Sequence, residues 1–310
     1  DSPGVAKPNA IPQRAKVEES AIEASAKAIE AGGDTVILLE HHGSEQPAMA
    51  AASKISSKLG CRLFNGTFPA RVDGGPGRVA VSRLPYFPEQ VLATLDGVKN
   101  LILVGGEIPV SFFAYKGKPG QLIPAGCQVT RLSTVEEDSI DALKRLADRL
   151  GASDEAVISF ERKEIGKPSG ELNTSTIIQS LASTLPEDVI VCTDSGGGNA
   201  AYSFCQNTTQ NSWLSLTGGA IGQGAPCSVG AALACPDQRV LAMLGDGGAA
   251  YTIQALWTQA RESQNVTTVI FANNSYNILN VEYGRLGVTD VGTIAASLFD
   301  IGNPEVDWVA

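Results

Sequence analysis

VLAMLGDGGAAYTIQALWTQARESQNVTTVIFANN, residues 240–274, is the stretch that decides the fold. Val240–Leu244 is an apolar run closed by glycine, the pattern of a buried strand. Gly245-Asp246-Gly247-Gly248 follows as a turn. Ile253, Leu256, Trp257 and Ala260 then repeat at helical spacing across Thr252–Arg261. Val266–Ala272 is a second apolar run and ends in Asn273-Asn274. Strand, helix and strand in that order predict a parallel unit whose strand ends share one edge of a sheet. An acid, Asp246, and an amide, Asn273, are thereby expected at neighbouring strand tips.

The same alternation extends upstream. A helix over about 174–184 leads to the strand Val189–Cys192 and the polar turn Asp194-Ser195-Gly196-Gly197-Gly198-Asn199. A short strand at Leu214–Leu216 precedes the turn Gly218–Pro226 and a small-residue helix over 227–234. Residues 151–172 are polar and read as a linker. Before them, helices from Val17 and at about 45–59, 88–95 and 135–150 alternate with strands at Thr35–Leu39, Cys61–Phe64, Leu101–Val104 and Gln128–Leu132. Two α/β domains with doubly wound parallel sheets are therefore expected, at 16–150 and 173–310, with 1–15 a proline-bearing linker. The first domain carries neither GxGxxG nor GxxxxGK[ST], so it reads as a structural Rossmann-like unit. A flavin- or NAD-binding role for it has no fingerprint behind it.

Composition narrows the class. The chain has 310 residues, 43% of them hydrophobic and 18% charged, enough to bury two cores. The net charge is -10 with no basic run, which excludes a phosphate-backbone partner. No apolar stretch approaches the roughly 20 residues of a membrane helix. None of the six cysteines forms CxxC, and His41 and His42 are the only histidines, which argues against structural zinc. The cysteines read as buried free thiols in a reducing compartment, cytoplasm or organelle matrix. The chain starts at Asp1 without Met or a targeting segment. It stops on the apolar run Asp307–Ala310 and so reads as a fragment, a processed chain or a partial structure.

Three Gly-rich turns follow three strands of the second domain. Ligands of open α/β sheets bind outside the carboxyl ends of the strands, where glycines let backbone N–H groups approach an anion. Asp246 and Asn273 add hard oxygen ligands there. Mg²⁺ takes one or two protein groups together with waters and phosphate oxygens, so the combination reads as a Mg²⁺-diphosphate site. Gly-Asp-Gly alone is equally a plain turn.

Gly245-Asp246-Gly247, a helix, a strand and Asn273-Asn274 together resemble the thiamine-diphosphate motif that opens with GDG and closes with NN. The surrounding text at 244–260 and 269–286 is similar to the acetolactate synthase and benzoylformate decarboxylase group, in particular its acetolactate-synthase-like large-subunit branch. Thr67-Phe68-Pro69-Ala70-Arg71 and Leu84-Pro85-Tyr86-Phe87-Pro88 resemble that branch's central domain. The resemblance implies thiamine diphosphate and Mg²⁺ as cofactors, with FAD lacking support. It implies Asp246, the Asn273 amide and the Ser275 carbonyl as metal ligands, Asn273 taking the place by its spacing from Asp246 and Tyr276. Gly245, Gly247, Gly248, Ala249 and Tyr276 would line the diphosphate. Gly248 departs from the hydroxyl residue that the family often carries. Ile221 would wedge between the cofactor's rings, the alternative being ordinary core packing, and the Gly219 carbonyl would accept from the aminopyrimidine. Ser195 and Gly196 align with a further phosphate loop, although Gly replaces the family's acidic and Thr-bearing pattern there.

The activity implied is decarboxylation and carboligation of small-molecule 2-oxo acids, as in branched-chain amino acid biosynthesis, by a dimer or tetramer. The glutamate that activates the cofactor belongs to an N-terminal domain not found in this sequence, so the 310 residues supply a half-site and are expected to be inactive alone. A non-catalytic relative, kept as a structural or assembly subunit of a larger complex, is the alternative.

Overall fold

The computed structural model describes residues 4, 5, 7 and 9–309, with Asn199 described by its backbone only. The linker expected at 1–15 and the end of the run at 307–310 thus lie partly outside the described residues. The first half builds α1 (Glu19–Glu30), β1 (Thr35–Leu39), α2 (Gln46–Leu59), β2 (Arg62–Asn65), β3 (Arg71–Gly74), β4 (Ser82–Arg83), α3 (Pro88–Thr94), β5 (Asn100–Val104), β6 (Gln128–Ser133) and α4 (Ser139–Arg149). The second builds α5 (Thr174–Ala182), β7 (Val189–Asp194), α6 (Gly196–Cys205), β8 (Asn211–Leu214), α7 (Gly224–Ala234), β9 (Val240–Gly245), α8 (Asp246–Tyr251), α9 (Gln254–Arg261), β10 (Val266–Phe271), α10 (Asn277–Arg285) and α11 (Thr293–Ser297).

Two five-stranded sheets result, ordered β4-β2-β1-β5-β6 and β10-β9-β7-β8-β3. All pairs are parallel except β3 with β8. The fold class is that of two α/β units with parallel-dominated sheets, as the alternation predicts. Both faces of each sheet are covered. In the first, Ile37 and Ile102 pack under α1, α2 and α4, whereas Val36 and Leu101 pack towards α3. In the second, Val191 and Met243 meet α5 and α6, while Ala242 and Leu244 meet α7, α8 and α9. A strand apolar on both faces is what such burial demands, and β1, β5 and β7 are buried at every position.

β3 belongs in sequence to the first half but lies in the second sheet. Val72 pairs with the fully buried Trp213, and the Asp73 carboxylate accepts from Ser212 Oγ at 2.6 Å. Arg78 Nη1 donates to the Asn211 carbonyl at 2.9 Å, tying the next loop to the same strand. Among the described residues no helix is long and apolar enough to cross a membrane.

All six cysteines are unpaired, with Cys61, Cys192 and Cys205 buried and Cys127, Cys227 and Cys235 half-buried. Burial pushes the thiols of Cys61 and Cys205 up to about 11 and about 12. Cys192 donates to Cys227, which holds the Cys227 thiol below its ordinary range and raises its partner's. Thiolate is the reactive form. Iodoacetamide near pH 7.5, followed by peptide mass spectrometry, should therefore label Cys227 before Cys61 or Cys205; the reverse order would contradict this packing.

Candidate functional site

The carboxyl ends of β7, β9 and β10 lie side by side, and each carries a polar tip. β9 ends at Gly245, and Asp246, only 3% exposed, opens α8. Its carboxylate is held by backbone donors: Gly247 N to Oδ1 at 2.8 Å, and Asn273 N and Asn274 N to Oδ2 at 3.0 and 2.6 Å. Asn274 itself is left-handed, at φ 52°, a conformation that asparagine tolerates better than most residues. The Asn273 amide oxygen accepts from Ser275 N at 3.1 Å, and the Asn274 amide donates to Glu305 at 3.4 Å. Tyr276 packs beneath Gly247, where an added Cβ would come within 2.7 Å of the ring.

β7 ends at Asp194, a residue whose role sequence reasoning missed. Its buried carboxylate accepts from Gly222 N at 2.6 Å and Gly224 N at 3.2 Å. Burial raises its pKa above the ordinary carboxylate range, while the two N–H donors pull it back. Asp194 thereby anchors the Gly218–Gly224 loop to the strand tip. The other side of that loop is held by Thr252 Oγ1, which donates to the Gly222 carbonyl at 2.7 Å. Gly218 and Gly219 are both left-handed, with φ 62° and 75°, and Cβ atoms there would meet open space. The only sequence signal for Asp194 was an acid ending an apolar strand beside a Gly-rich turn.

Ser195, Gly196, Gly219, Ile221, Gly245, Asp246, Gly247, Gly248, Ala249, Asn273, Ser275 and Tyr276 all fall on this end of the second sheet. Ile221 is 51% exposed, so it is not core packing. The Gly219 carbonyl already accepts from Ile221 N at 2.9 Å, and a carbonyl retains a second lone pair. Ala249 is buried, so its contribution to the open edge is backbone. Gly248 backs onto Asp194, whose Cγ an added Cβ would approach to 3.3 Å. The polar turn expected at 194–199 is instead the start of α6, with Ser195 as its N-cap accepting from Gly198 N at 2.8 Å.

The donor set fits a magnesium diphosphate. With Oδ2 of Asp246 taken up by two N–H groups, lone pairs remain on Oδ1 and on the Asn273 amide oxygen. Among the described residues no group of three His, Cys, Asp or Glu could hold a metal. One carboxylate with amide and carbonyl oxygens leaves the remaining positions of a hard cation to phosphate and water. Gly247→Ala is expected to cost about 1–3 kcal/mol by overpacking against Tyr276. Thermal unfolding of the single variant and of Gly247→Ala/Tyr276→Ala checks this, since the double variant should recover part of the loss.

Comparison with known proteins bears on the family rather than on these residues. Residues 196–295 match the family described as thiamine pyrophosphate enzyme, C-terminal TPP binding domain. A Mycobacterium tuberculosis protein provisionally named acetolactate synthase large subunit IlvX is 40% identical over 302 residues, covering 96% of this chain and 58% of that protein. Benzoylformate decarboxylase of Pseudomonas aeruginosa is 26% identical over 243 residues, covering 73% of this chain and 42% of that enzyme. In structure, the thiamine diphosphate-dependent 4-hydroxybenzoylformate decarboxylase of Rhodococcus jostii RHA1 superposes with a TM-score of 0.73 at 21% identity, over 97% of this chain and 58% of that one. The chain thus spans less than two thirds of the length of these relatives. Through residues 196–295 the chain belongs with proteins that carry the C-terminal TPP binding domain of thiamine pyrophosphate enzymes.

Proposed function

We propose that residues 173–310 form the half-site that holds Mg²⁺ and the diphosphate of thiamine diphosphate, with 16–150 as the central domain. The observation that carries this reading is the convergence of Asp246 with the Asn273–Ser275 turn. Asp246, Asn273 and the Ser275 carbonyl hold the cation. Gly245, Gly247 and Gly248, with Ser195 and Gly196 across the edge, admit the diphosphate. Ile221 supports the rings, and Gly219 receives the aminopyrimidine. Bound thiamine diphosphate supplies the nucleophilic carbon and electron sink for 2-oxo acid chemistry. This chain's residues bind and orient it; the glutamate that activates it through the aminopyrimidine is assigned to a domain outside this sequence. The complete site acts in decarboxylation and carboligation of 2-oxo acids, acetolactate-synthase-like, and is shared between two copies. The relatives named above are bacterial, which favours a bacterial cytoplasm over an organelle matrix.

The competing reading is a structural subunit without turnover, motivated by Gly248 in place of a hydroxyl. The test is carbon dioxide release from pyruvate and from benzoylformate, with Mg²⁺ and thiamine diphosphate present. The chain alone should give none, and addition of a family N-terminal domain bearing the glutamate should give Mg²⁺-dependent release. Turnover by the chain alone overturns the half-site reading, and binding without turnover in the completed assembly favours the structural subunit.

A further inference from the structure

Helix α10 begins directly after the Asn273–Tyr276 turn, yet none of its residues is buried. Ile278, Leu279 and Val281 are 44%, 43% and 39% exposed, and beneath the helix Tyr283 meets the buried Phe299 ring at 5.3 Å, so its direction rests on a few contacts rather than on a core. Its start is held where Tyr276 packs under Gly247 and donates its N–H to the Phe299 carbonyl at 2.9 Å. Its far end is held by the first half of the chain. Arg285 Nη1 and Nη2 donate to the two Glu89 oxygens at 2.8 and 2.9 Å. The guanidinium lies between the rings of Phe87 and Tyr115, 4.2 and 4.7 Å from their centroids. One turn back, Glu282 accepts from the Tyr115 hydroxyl at 2.8 Å.

Bidentate pairing fixes a guanidinium in both distance and plane, and aromatic faces on either side hold it further. Lysine can reproduce the charge but neither the fork nor the stack. A nine-residue helix is a stiff rod of roughly 13 Å at 1.5 Å per residue. Clamping Glu282 and Arg285 therefore also fixes the direction in which the chain leaves Ser275.

We propose that Arg285 is a positioning residue, through which Phe87, Glu89 and Tyr115 of the first half set the geometry of the Asn273–Ser275 turn. The clamp itself is independent of any ligand; its effect on binding rests on the cation site proposed above. Arg285 touches no group of that site and acts through α10 alone.

The test is amide hydrogen exchange of the full chain without ligand, combined with a phosphorus NMR titration of thiamine diphosphate in Mg²⁺. Arg285→Ala should speed exchange across 273–285 by about tenfold, within the usual range of coupling between sites. Exchange in β7 and β9 should not change. Cofactor binding should weaken by a similar factor, and Arg285→Lys should restore neither quantity. Should Arg285→Ala loosen the whole chain, Glu89→Gln on the opposite side of the clamp repeats the test with a smaller change. Exchange at 273–276 that is unaffected by both variants overturns the proposal. If the unmodified chain shows no Mg²⁺-dependent binding, the cofactor reading fails while the exchange result still decides the clamp.

Discussion

Asp246→Asn should weaken Mg²⁺-dependent thiamine diphosphate binding by about 100-fold, the upper end of what loss of a metal-site partner costs. The carboxylate does two things at once. It supplies the only charge in the donor set, and it gathers the N–H groups of Gly247, Asn273 and Asn274. An asparagine can point its oxygen at one side only. Its NH₂ group would then face N–H donors, leaving at least one of them buried without a partner, at about 1–3 kcal/mol each. Isothermal calorimetry and thermal unfolding should thus move together, with binding lost and the melting temperature lowered. A variant that keeps its affinity would remove Asp246 from the cation site.

Asp194→Ala should cost roughly 2–4 kcal/mol of stability and release the Gly218–Gly224 loop. The N–H groups of Gly222 and Gly224 are buried and end on the same carboxylate oxygen. Removing it orphans both and opens a gap beside Gly248 and Gly224, whose added Cβ atoms would lie 3.3 Å from the Asp194 carboxyl carbon and 2.6 Å from its Cβ. Asp194→Asn should be far milder, because an amide oxygen still accepts from both glycines and no charge need be buried. Burial raises the pKa of this carboxyl in the folded chain, so its ionisation opposes folding. Wild type should therefore lose stability relative to Asp194→Asn as the pH rises through the folded pKa, and the difference should shrink below the unfolded value. Chemical denaturation of the three proteins at pH 4 and pH 7 separates these outcomes. Equal stability of the alanine variant and wild type would mean that the loop is held elsewhere.

Much of this fold was legible because apolar runs mark buried parallel strands. Thr35–Leu39, Asn100–Val104, Val189–Asp194 and Val240–Gly245 bury nearly every side chain, and their sequences say so. What stayed hidden depended on distant partners. Arg71-Val72-Asp73-Gly74 carries a single apolar side chain, and its strand exists only because β8, some 140 residues later, offers an edge. Glycine is a poor helix former, so Gly196-Gly197-Gly198 read as a turn, although Ser195 was a legible N-cap. Helices α10 and α11 bury nothing and therefore carry no clear apolar stripe. At the site, Asp246 and Asn273 could be paired from the order of strand, helix and strand. Asp194 could not, since its partners are backbone N–H groups that leave no mark on the side-chain sequence.

Phosphorus NMR of thiamine diphosphate titrated with this chain addresses the half-site most directly. Binding on the order of 0.1–1 mM, equivalent to about 4–5.5 kcal/mol, should appear with Mg²⁺, vanish on chelation and be absent in Asp246→Asn. Diphosphate resonances that ignore the chain in Mg²⁺, or that respond equally with Asp246→Asn, would contradict a magnesium diphosphate site at these strand ends.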